Sequence, residues 1–297
     1  MIKTCIQILL LCSILHSAVC VQQQSPGPNA LWPIIYAGSG NSGLNLLSFE
    51  QIDGKIERRM YEYDLLPPAQ NVYRYNSTTP EFIDAHFHAA LSRTSNCRPS
   101  YDKWDCGELC ETYLPDGEVI RSFSTFPMGI TGSVVLSHQK ETIFVLLRGA
   151  SSMRNKMMAN HPFIEGAKVE EGFLAGEQDI YDIVSTALYD QLILTPDYKV
   201  DITGHSFGAG VGSLLMADLN YHNHLANSTN LSGHFLGKSR VGTYEYAAYI
   251  GENNINVRRY VQEGDGFVHV PHILDGYVHE GDEYWLENNI TQELGMH

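Results

Sequence analysis

The chain has 297 residues, 43% of them hydrophobic, which is enough for one sizeable core with accessory segments. Its formal net charge of −15 is spread along the chain, and only 18% of the residues are charged. This acidic balance excludes nucleic acids and anionic membrane surfaces as electrostatic partners, but neutral esters and lipids remain open as substrates.

Residues 1–20 have the pattern of a secretory signal peptide. Lys3 precedes an apolar run over residues 6–15, and the small residues Ala18 and Cys20 predict cleavage after Cys20. This run is too short and interrupted to predict a transmembrane anchor, and no later segment is long and apolar enough. Four Asn-X-Ser/Thr sequons fit secretion, and we expect glycosylation at Asn76, Asn227, Asn230 and Asn289. The sequence therefore predicts an extracellular protein.

Residues 21–75 show no clear periodicity and contain linker-like stretches rich in Pro, Gly and Ser, with a dibasic pair at Arg58 and Arg59. We interpret this segment as a pro-region or a loosely attached arm. An ordinary N-terminal extension packed on the domain is the alternative. The domain itself is expected over residues 76–297.

Three cysteines remain after the signal peptide, an odd number for an oxidising compartment. Cys106 and Cys110 are close enough in sequence to form a disulfide across a tight loop. A metal clip made by these two thiols and a histidine is the alternative. Cys97 has no evident partner.

Helices and strands are expected to alternate from residue 79 onward. Thr79, Pro80 and Glu81 form a helix start, and this helix is predicted to end near Ser92. Its core-facing side chains should be Phe82, Ala85, Ala89 and Ala90. Two strands follow over residues 132–137 and 141–147, and the second is apolar on both faces, as a central strand of a covered sheet must be.

Helical spacing of apolar residues then predicts a long amphipathic helix that leads to Pro196. The residues that repeat are Ile180, Ile183, Val184, Ala187, Leu188 and Leu192. A strand over residues 198–203, an apolar segment at 234–237, a short helix through 246–249 and a strand at 257–261 complete the pattern. Such alternation predicts an α/β-hydrolase-like, mostly parallel sheet covered by helices on both faces.

Ser206 lies at the centre of residues 204–208 (GHSFG), between a predicted strand and a predicted helix. In this context the serine is expected on a strained turn that projects its hydroxyl over the sheet edge, as in a nucleophile elbow. A glycine-rich turn with an idle serine is the alternative.

Further residues complete the expected machinery for acyl transfer. Asp265 follows the strand at 257–261, which fits the Ser, Asp, His order of α/β-hydrolases, although a turn aspartate between glycines is the alternative. The backbone N–H groups of Phe207 and Ala150 are expected to hold the oxyanion. No cofactor is expected. His269, His272 and His279 lack a thiol or paired carboxylates nearby, so no metal site is expected there.

Several motifs in order resemble the fungal class 3 lipases, a family that includes feruloyl esterases. Residues 148–155 (RGASSMRN) resemble the family's oxyanion loop, and residues 169–173 (VEEGF) resemble its Val-His-X-Gly-Phe. Residues 240–242 (RVG) and 265–271 (DGFVHVP) are similar to two further family segments. So are residues 279–285 (HEGDEYW), and Cys97, Cys106 and Cys110 echo the family's N-terminal cysteines. This resemblance implies a serine esterase or lipase acting on an ester or lipid, including at a lipid–water interface.

The sequence departs from the family pattern at several positions. Ala150 replaces a Ser or Thr whose hydroxyl adds an oxyanion contact in many members, and Glu170 replaces a His. The segment 156–167, where a lid is expected, is short and lacks the family's tryptophan. These differences favour a soluble or short-chain ester over a triglyceride at an interface.

In the family, the catalytic histidine follows the Glu-Tyr-Trp strand in an Asp-His-X-X-Tyr-Phe segment. The given sequence ends at His297 before such a segment, so we expect a C-terminally incomplete domain. The resemblance places the partner of Cys97 in the same tail. His279 is a candidate substitute base, although it matches a structural strand position of the family, and His297 is another, at the terminus of the sequence. A non-catalytic lipid- or ester-binding module is the alternative function.

Overall fold

The structure is a computed structural model that describes residues 72–75, 80–96, 103–126, 129–149, 158–222, 230–262 and 264–286. Several sequence predictions lie outside these ranges. They are the signal peptide, the 21–75 segment up to residue 71, Cys97, Ala150, His297 and three of the sequon asparagines, Asn76, Asn227 and Asn289.

One eight-stranded sheet organises the described residues. Its strands are β1 (Val72–Tyr75), β2 (Glu118–Ser124), β3 (Thr131–Ser137), β4 (Thr142–Leu147), β7 (Lys199–His205), β8 (Leu231–Leu236), β9 (Asn256–Gln262) and β10 (Asp282–Leu286). Their order across the sheet is β1-β10-β9-β8-β7-β4-β3-β2. The β2–β3 and β3–β4 pairs are antiparallel, and the other five are parallel. Strands β5 (Met158–Asn160) and β6 (Lys168–Glu170) form a separate hairpin.

Five α-helices accompany these strands within the described ranges. They are α1 (Pro80–Thr94), α2 (Glu108–Tyr113), α3 (Glu171–Leu194), α4 (Phe207–Tyr221) and α5 (Tyr244–Glu252). Two short 3₁₀ turns, Gly266–His269 and Ile273–Asp275, lie between β9 and β10.

The sheet has an apolar layer on each face. On one face, α3 and α4 pack over alternate residues of β3, β4, β7 and β8, such as Val134, Val145 and Ile202. On the other face, Leu91 of α1 and the α2 region cover Val135, Phe144 and Leu146. All six residues of β4 are buried because β4 is covered on both faces. The mostly parallel, doubly covered sheet predicted from the sequence is therefore confirmed.

Most predicted elements are present with small shifts at their ends. The helix starting at Pro80 extends to Thr94, and the long helix ends at Leu194, just before Pro196. Strands β1, β2, β5 and β6 were not expected, and β1, at residues 72–75, pairs in parallel with β10 at the sheet edge. The sheet therefore includes residues before position 76, where the sequence analysis places the start of the domain.

Cys106 and Cys110 form a disulfide, with the two Cα atoms 5.3 Å apart. Cys110 is buried beside Trp104, whose indole N–H donates to the carbonyl of Leu114 over 2.8 Å. The disulfide therefore holds the start of α2 within the apolar cluster that covers one face of β4.

A membrane-spanning helix is not found in the part of the chain that the structure describes, where every helix is too short or too polar to cross a bilayer.

Candidate active site

Ser206 occupies the turn between β7 and α4. Its backbone has φ 53° and ψ −118°, a left-handed conformation that costs free energy for a residue with a side chain. The Ser206 N–H donates to the carbonyl of Leu236 at the end of β8, and its carbonyl accepts from the N–H of Ala209 over 3.0 Å. Strand and helix thus hold the serine in the strained turn that the sequence predicts.

The turn can form only because Gly204 and Gly208 lack side chains. A Cβ on Gly204 would lie 2.6 Å from the carbonyl oxygen of Gly208. A Cβ on Gly208 would lie 2.6 Å from the carbonyl oxygen of Arg148, at the end of β4. Real Cβ atoms do not approach backbone oxygens so closely. The close packing of the turn against α4 and the end of β4 therefore requires glycine at both positions.

Asp265 lies just beyond the end of β9, on the sheet edge that also carries Ser206. Its Oδ1 accepts the N–H of Phe267 over 2.9 Å, which caps the following 3₁₀ turn. Burial raises the pKa of Asp265, while the Phe267 N–H and the nearby His269 counteract part of this rise. The carboxylate is therefore oriented by the backbone through one oxygen.

His205 and Gly237 link the serine side of this edge to Asp265. A Cβ on Gly237 would lie 3.2 Å from Asp265 Oδ2 and 3.7 Å from His205 Nε2, so both side chains border the same glycine. The other edge of the His205 ring borders Gly149, where a Cβ would lie 3.3 Å from Nδ1 and 3.6 Å from Ser206 Cβ. His205 and Asp265 therefore lie on the same side of Gly237, and His205 extends from there to Gly149 beside Ser206. Burial lowers the pKa of His205 to about 4, which keeps the ring neutral near pH 7.

Arg240 holds the segment that follows Asp265. Its guanidinium donates from Nη1 to the carbonyl of His269 and, over 3.1 Å, to the carbonyl of Pro271. The Arg240 N–H also donates to the carbonyl of Val270 over 3.0 Å. Sequence analysis identified the RVG motif only by resemblance, and these contacts give its arginine a positioning role.

His279 is poorly suited to act as the general base. Its Nε2 lies 2.9 Å from the carbonyl oxygen of Val268, so this nitrogen carries the proton and donates it. Burial and the nearby Arg259, Arg240 and Lys238 charges lower the pKa of His279 well below its usual value. A base must become positively charged during catalysis, and this environment opposes that charge.

The remaining elements of the predicted site have different outcomes. Phe207 is the first residue of α4, so its N–H is among those that make no bond within the helix. Ala150 lies outside the described residues, although Gly149 before it borders Ser206. His272 caps a 3₁₀ turn by accepting the N–H of Leu274 over 3.2 Å, which is a structural role.

Residues 158–167, the described part of the expected lid at 156–167, belong to the β5–β6 hairpin. The Phe163 ring stacks on Tyr221 at the last turn of α4. Because α4 is 15 residues long, this contact lies about 20 Å from the Ser206 end of the helix. Phe163 therefore packs away from the serine, whereas Met158 borders Gly276 in the segment that follows Asp265.

Glu170 caps α3 in place of the family's histidine. Its Oε2 accepts the N–H of Phe173 over 2.8 Å, which satisfies one of the free donors at the helix start. Glu170 therefore has a structural role at this position.

Comparisons with known proteins agree with this architecture. Residues 140–274 match the family model for lipase (class 3). The lipase of Rhizopus niveus is 30% identical over 223 residues, which cover 72% of this chain and 57% of the relative. The crystal structure of the lipase from Rhizopus microsporus var. chinensis has a TM-score of 0.68 and 32% identity, with 73% of this chain and 78% of that chain covered.

Another solved structure is a triacylglycerol lipase described as having a serine protease triad at its catalytic centre. It has a TM-score of 0.67 and 30% identity, and the match covers 71% of this chain and 82% of that chain. The chain spans less than two thirds of the length of the first curated relatives it matches. On its fold, its serine turn and these matches, the chain belongs to the class 3 lipase family.

Proposed function

We propose that the chain is a secreted serine hydrolase of carboxylic esters, with Ser206 as nucleophile and Asp265 as the acid that orients a histidine base. The observation that carries the proposal is the strained Ser206 turn at the same sheet edge as Asp265. This arrangement suits acyl transfer because the nucleophile and the orienting acid follow two parallel strands, β7 and β9, that are separated only by β8.

The proposed reaction begins with attack of Ser206 Oγ on the ester carbonyl carbon. A histidine held by Asp265 removes the hydroxyl proton and returns it to the departing alcohol. The backbone N–H groups of Phe207 and Ala150 would stabilise the negative oxygen of the tetrahedral intermediate. Water then attacks the acyl-enzyme with help from the same base and releases the acid.

The substrate is proposed to be a neutral ester or lipid. The relatives are named lipases, and one is a triacylglycerol lipase. The net charge of −15 does not favour a polyanionic substrate. Export is supported by the signal-like residues 1–20 and by the Cys106–Cys110 disulfide, because disulfides persist mainly in oxidising compartments.

The test is hydrolysis of a chromogenic short-chain ester by the protein carrying the C-terminal segment in which the family resemblance places the histidine base, and by three variants of it. Ser206→Ala should abolish turnover, and Asp265→Asn should lower kcat by about 10⁴-fold, the loss seen when a triad acid is neutralised. Ser124→Ala, at an exposed serine of β2, should leave turnover unchanged. Ser206-independent hydrolysis would contradict the proposal.

A fluorophosphonate probe separates catalysis from simple binding. An activated Ser206 should be labelled covalently, and the Ser206→Ala variant should not. Binding of an ester without labelling or turnover would instead identify a non-catalytic binding module.

A further inference from the structure

A second group of ionisable side chains lies under α1, on the face of the sheet opposite α3 and α4. Asp84 and His88 belong to α1, Asp201 to β7 and His234 to β8. His88, Asp201 and His234 are buried, and the Asp84 side chain remains one third exposed. Sequence analysis did not predict this group.

The two imidazole rings stack between the two carboxylates. Their centroids are 3.5 Å apart and their planes differ by 13°. Each ring presents one nitrogen to Asp201 and the other to Asp84. His88 Nδ1 and His234 Nε2 lie 3.6 Å and 3.2 Å from Asp201 oxygens. His88 Nε2 and His234 Nδ1 each lie 3.5 Å from an Asp84 oxygen.

Hydrogen bonds on the Asp201 side assign the protons. Thr203 donates its hydroxyl proton to Asp201, so its oxygen accepts from His88 Nδ1 over 2.8 Å. His234 Nε2 lies 3.2 Å from Asp201 Oδ2, and the negative carboxylate favours a proton on this nitrogen. In the neutral rings the lone pairs are then on His88 Nε2 and His234 Nδ1, both facing Asp84.

The atoms that face the lone pairs of His88 Nε2 and His234 Nδ1 are negative or electron-rich. Tyr260 donates its proton to Asp84 over 2.6 Å, so its oxygen faces His234 Nδ1 at 2.9 Å with another lone pair. Two ring nitrogens, a carboxylate and a phenol oxygen converge here. Arg258, 2.8 Å from Asp84, offsets part of the repulsion among these groups, and a further cation among the four groups would offset the rest.

Spacing and charge favour a metal ion as this cation. A shared proton would draw nitrogen and oxygen to about 2.7–2.9 Å, whereas both contacts to Asp84 measure 3.5 Å. Ligand atoms around a tetrahedral zinc ion with bonds of about 2.0–2.2 Å lie about 3.3–3.6 Å apart. Asp84 and Asp201 contribute two negative charges, and Arg258, 2.8 Å from Asp84, contributes one positive charge.

We propose that Asp84, His88 and His234 bind a divalent cation of the zinc class. Two imidazoles and a carboxylate are the donors that Zn²⁺ prefers. The hydrogen bond between His88 and Thr203 and the close approach of His234 to Asp201 match the outer contacts that usually orient metal-binding histidines. In the stacked rings the two nitrogen lone pairs lie side by side and point in similar directions. Metal binding therefore requires the rings to rotate apart until both lone pairs point at the ion. The ion enters past Asp84 and Arg258, whose side chains are about one third exposed.

The test is metal titration of the protein, produced without a polyhistidine tag and stripped with a chelator. Zn²⁺ should bind with one equivalent per chain and raise the Tm, and Mg²⁺ should do neither. Co²⁺ should give the visible absorption of a tetrahedral site in the unmodified protein, a readout independent of any variant's folding.

Variants locate the ion. His88→Gln and His234→Gln should each lose the equivalent of Zn²⁺, and Asp201→Asn should weaken binding roughly 10–100-fold. His86→Gln is the matched control, because His86 lies on the same helix but contacts Tyr113. Absence of Zn²⁺ binding, or equal binding in His88→Gln, would overturn the proposal. If Zn²⁺ has no effect but stability falls above neutral pH only when His88 is present, the cation is a proton and the metal site is refuted.

Discussion

Glu177 is a buried acid between α3 and α4, and replacing it with glutamine should stabilise the protein near neutral pH. Its side chain is 1% exposed, and Asp218 of α4 is also buried. Burial and the Asp218 charge raise the pKa of Glu177 to about 9. The folded protein therefore keeps this carboxyl group protonated, whereas the unfolded chain ionises it above its ordinary pKa of 4.5.

The sign and size of the effect follow from this difference in proton binding. Between pH 4.5 and pH 9 the folded state binds more protons than the unfolded state, so the free energy of unfolding falls as pH rises. At about 1.4 kcal/mol per pH unit, the loss between pH 4.5 and pH 7 is about 3 kcal/mol. Glutamine is neutral in both states and removes this loss, while its amide can still donate to Asp218.

Urea unfolding followed by far-UV circular dichroism measures the effect at pH 4.5 and pH 7. Glu177→Gln should match the parent protein at pH 4.5 and exceed it by about 3 kcal/mol at pH 7. Asp190→Asn, at an exposed position of the same helix, should change stability by no more than about 0.5 kcal/mol at either pH. The reasoning fails if Glu177→Gln gives no gain at pH 7 or the same gain at both values.

Two further substitutions test the packing around the site. Gly208→Ala should destabilise the fold by about 1–3 kcal/mol and lower Ser206-dependent turnover, because the new Cβ meets backbone oxygens of Arg148 and Leu147. Gly251→Ala in α5, where a Cβ meets nothing within 4 Å, should instead be neutral or stabilising by up to about 1 kcal/mol, and equal losses in the two variants would contradict the argument. Lys238→Met should cost about 3–5 kcal/mol in thermal or urea unfolding, because it leaves the buried Glu280 carboxylate without its partner at 2.6 Å. A loss restored by adding Glu280→Gln would support this account, and an unchanged Tm in Lys238→Met would refute it.

Local patterns explain why most elements could be predicted from the sequence. The period of α3, the apolar run of β4 and the glycines around Ser206 are each encoded within a few neighbouring residues. Strand β2 escaped prediction because, at the sheet edge, it has a single buried residue, Phe123, and lacks an apolar pattern. The β5–β6 pairing within residues 158–170 was not predicted from the sequence, because both strands have only three residues.

The sequence predicts the position of a site residue only where the neighbouring residues determine it. Ser206 and Asp265 follow strands, so their position at the sheet edge follows from the alternation of elements. His205, Gly237 and Arg240 escaped assignment because their roles depend on which strands lie side by side. The stacked histidines under α1 come from elements far apart in sequence, and no local motif joins them.

Strand β1 also protects the rim of the sheet. It covers β10 through four residue pairs, from Val72 with Glu283 to Tyr75 with Leu286. Without it, the N–H and C=O groups along that side of β10 would form an open template for strands of other molecules, which is a route to aggregation. Cleavage at the dibasic pair Arg58-Arg59 would leave this cover in place, whereas cleavage after Tyr75 would remove it. Any maturation of the N-terminal segment that preserves solubility should therefore cut before Val72.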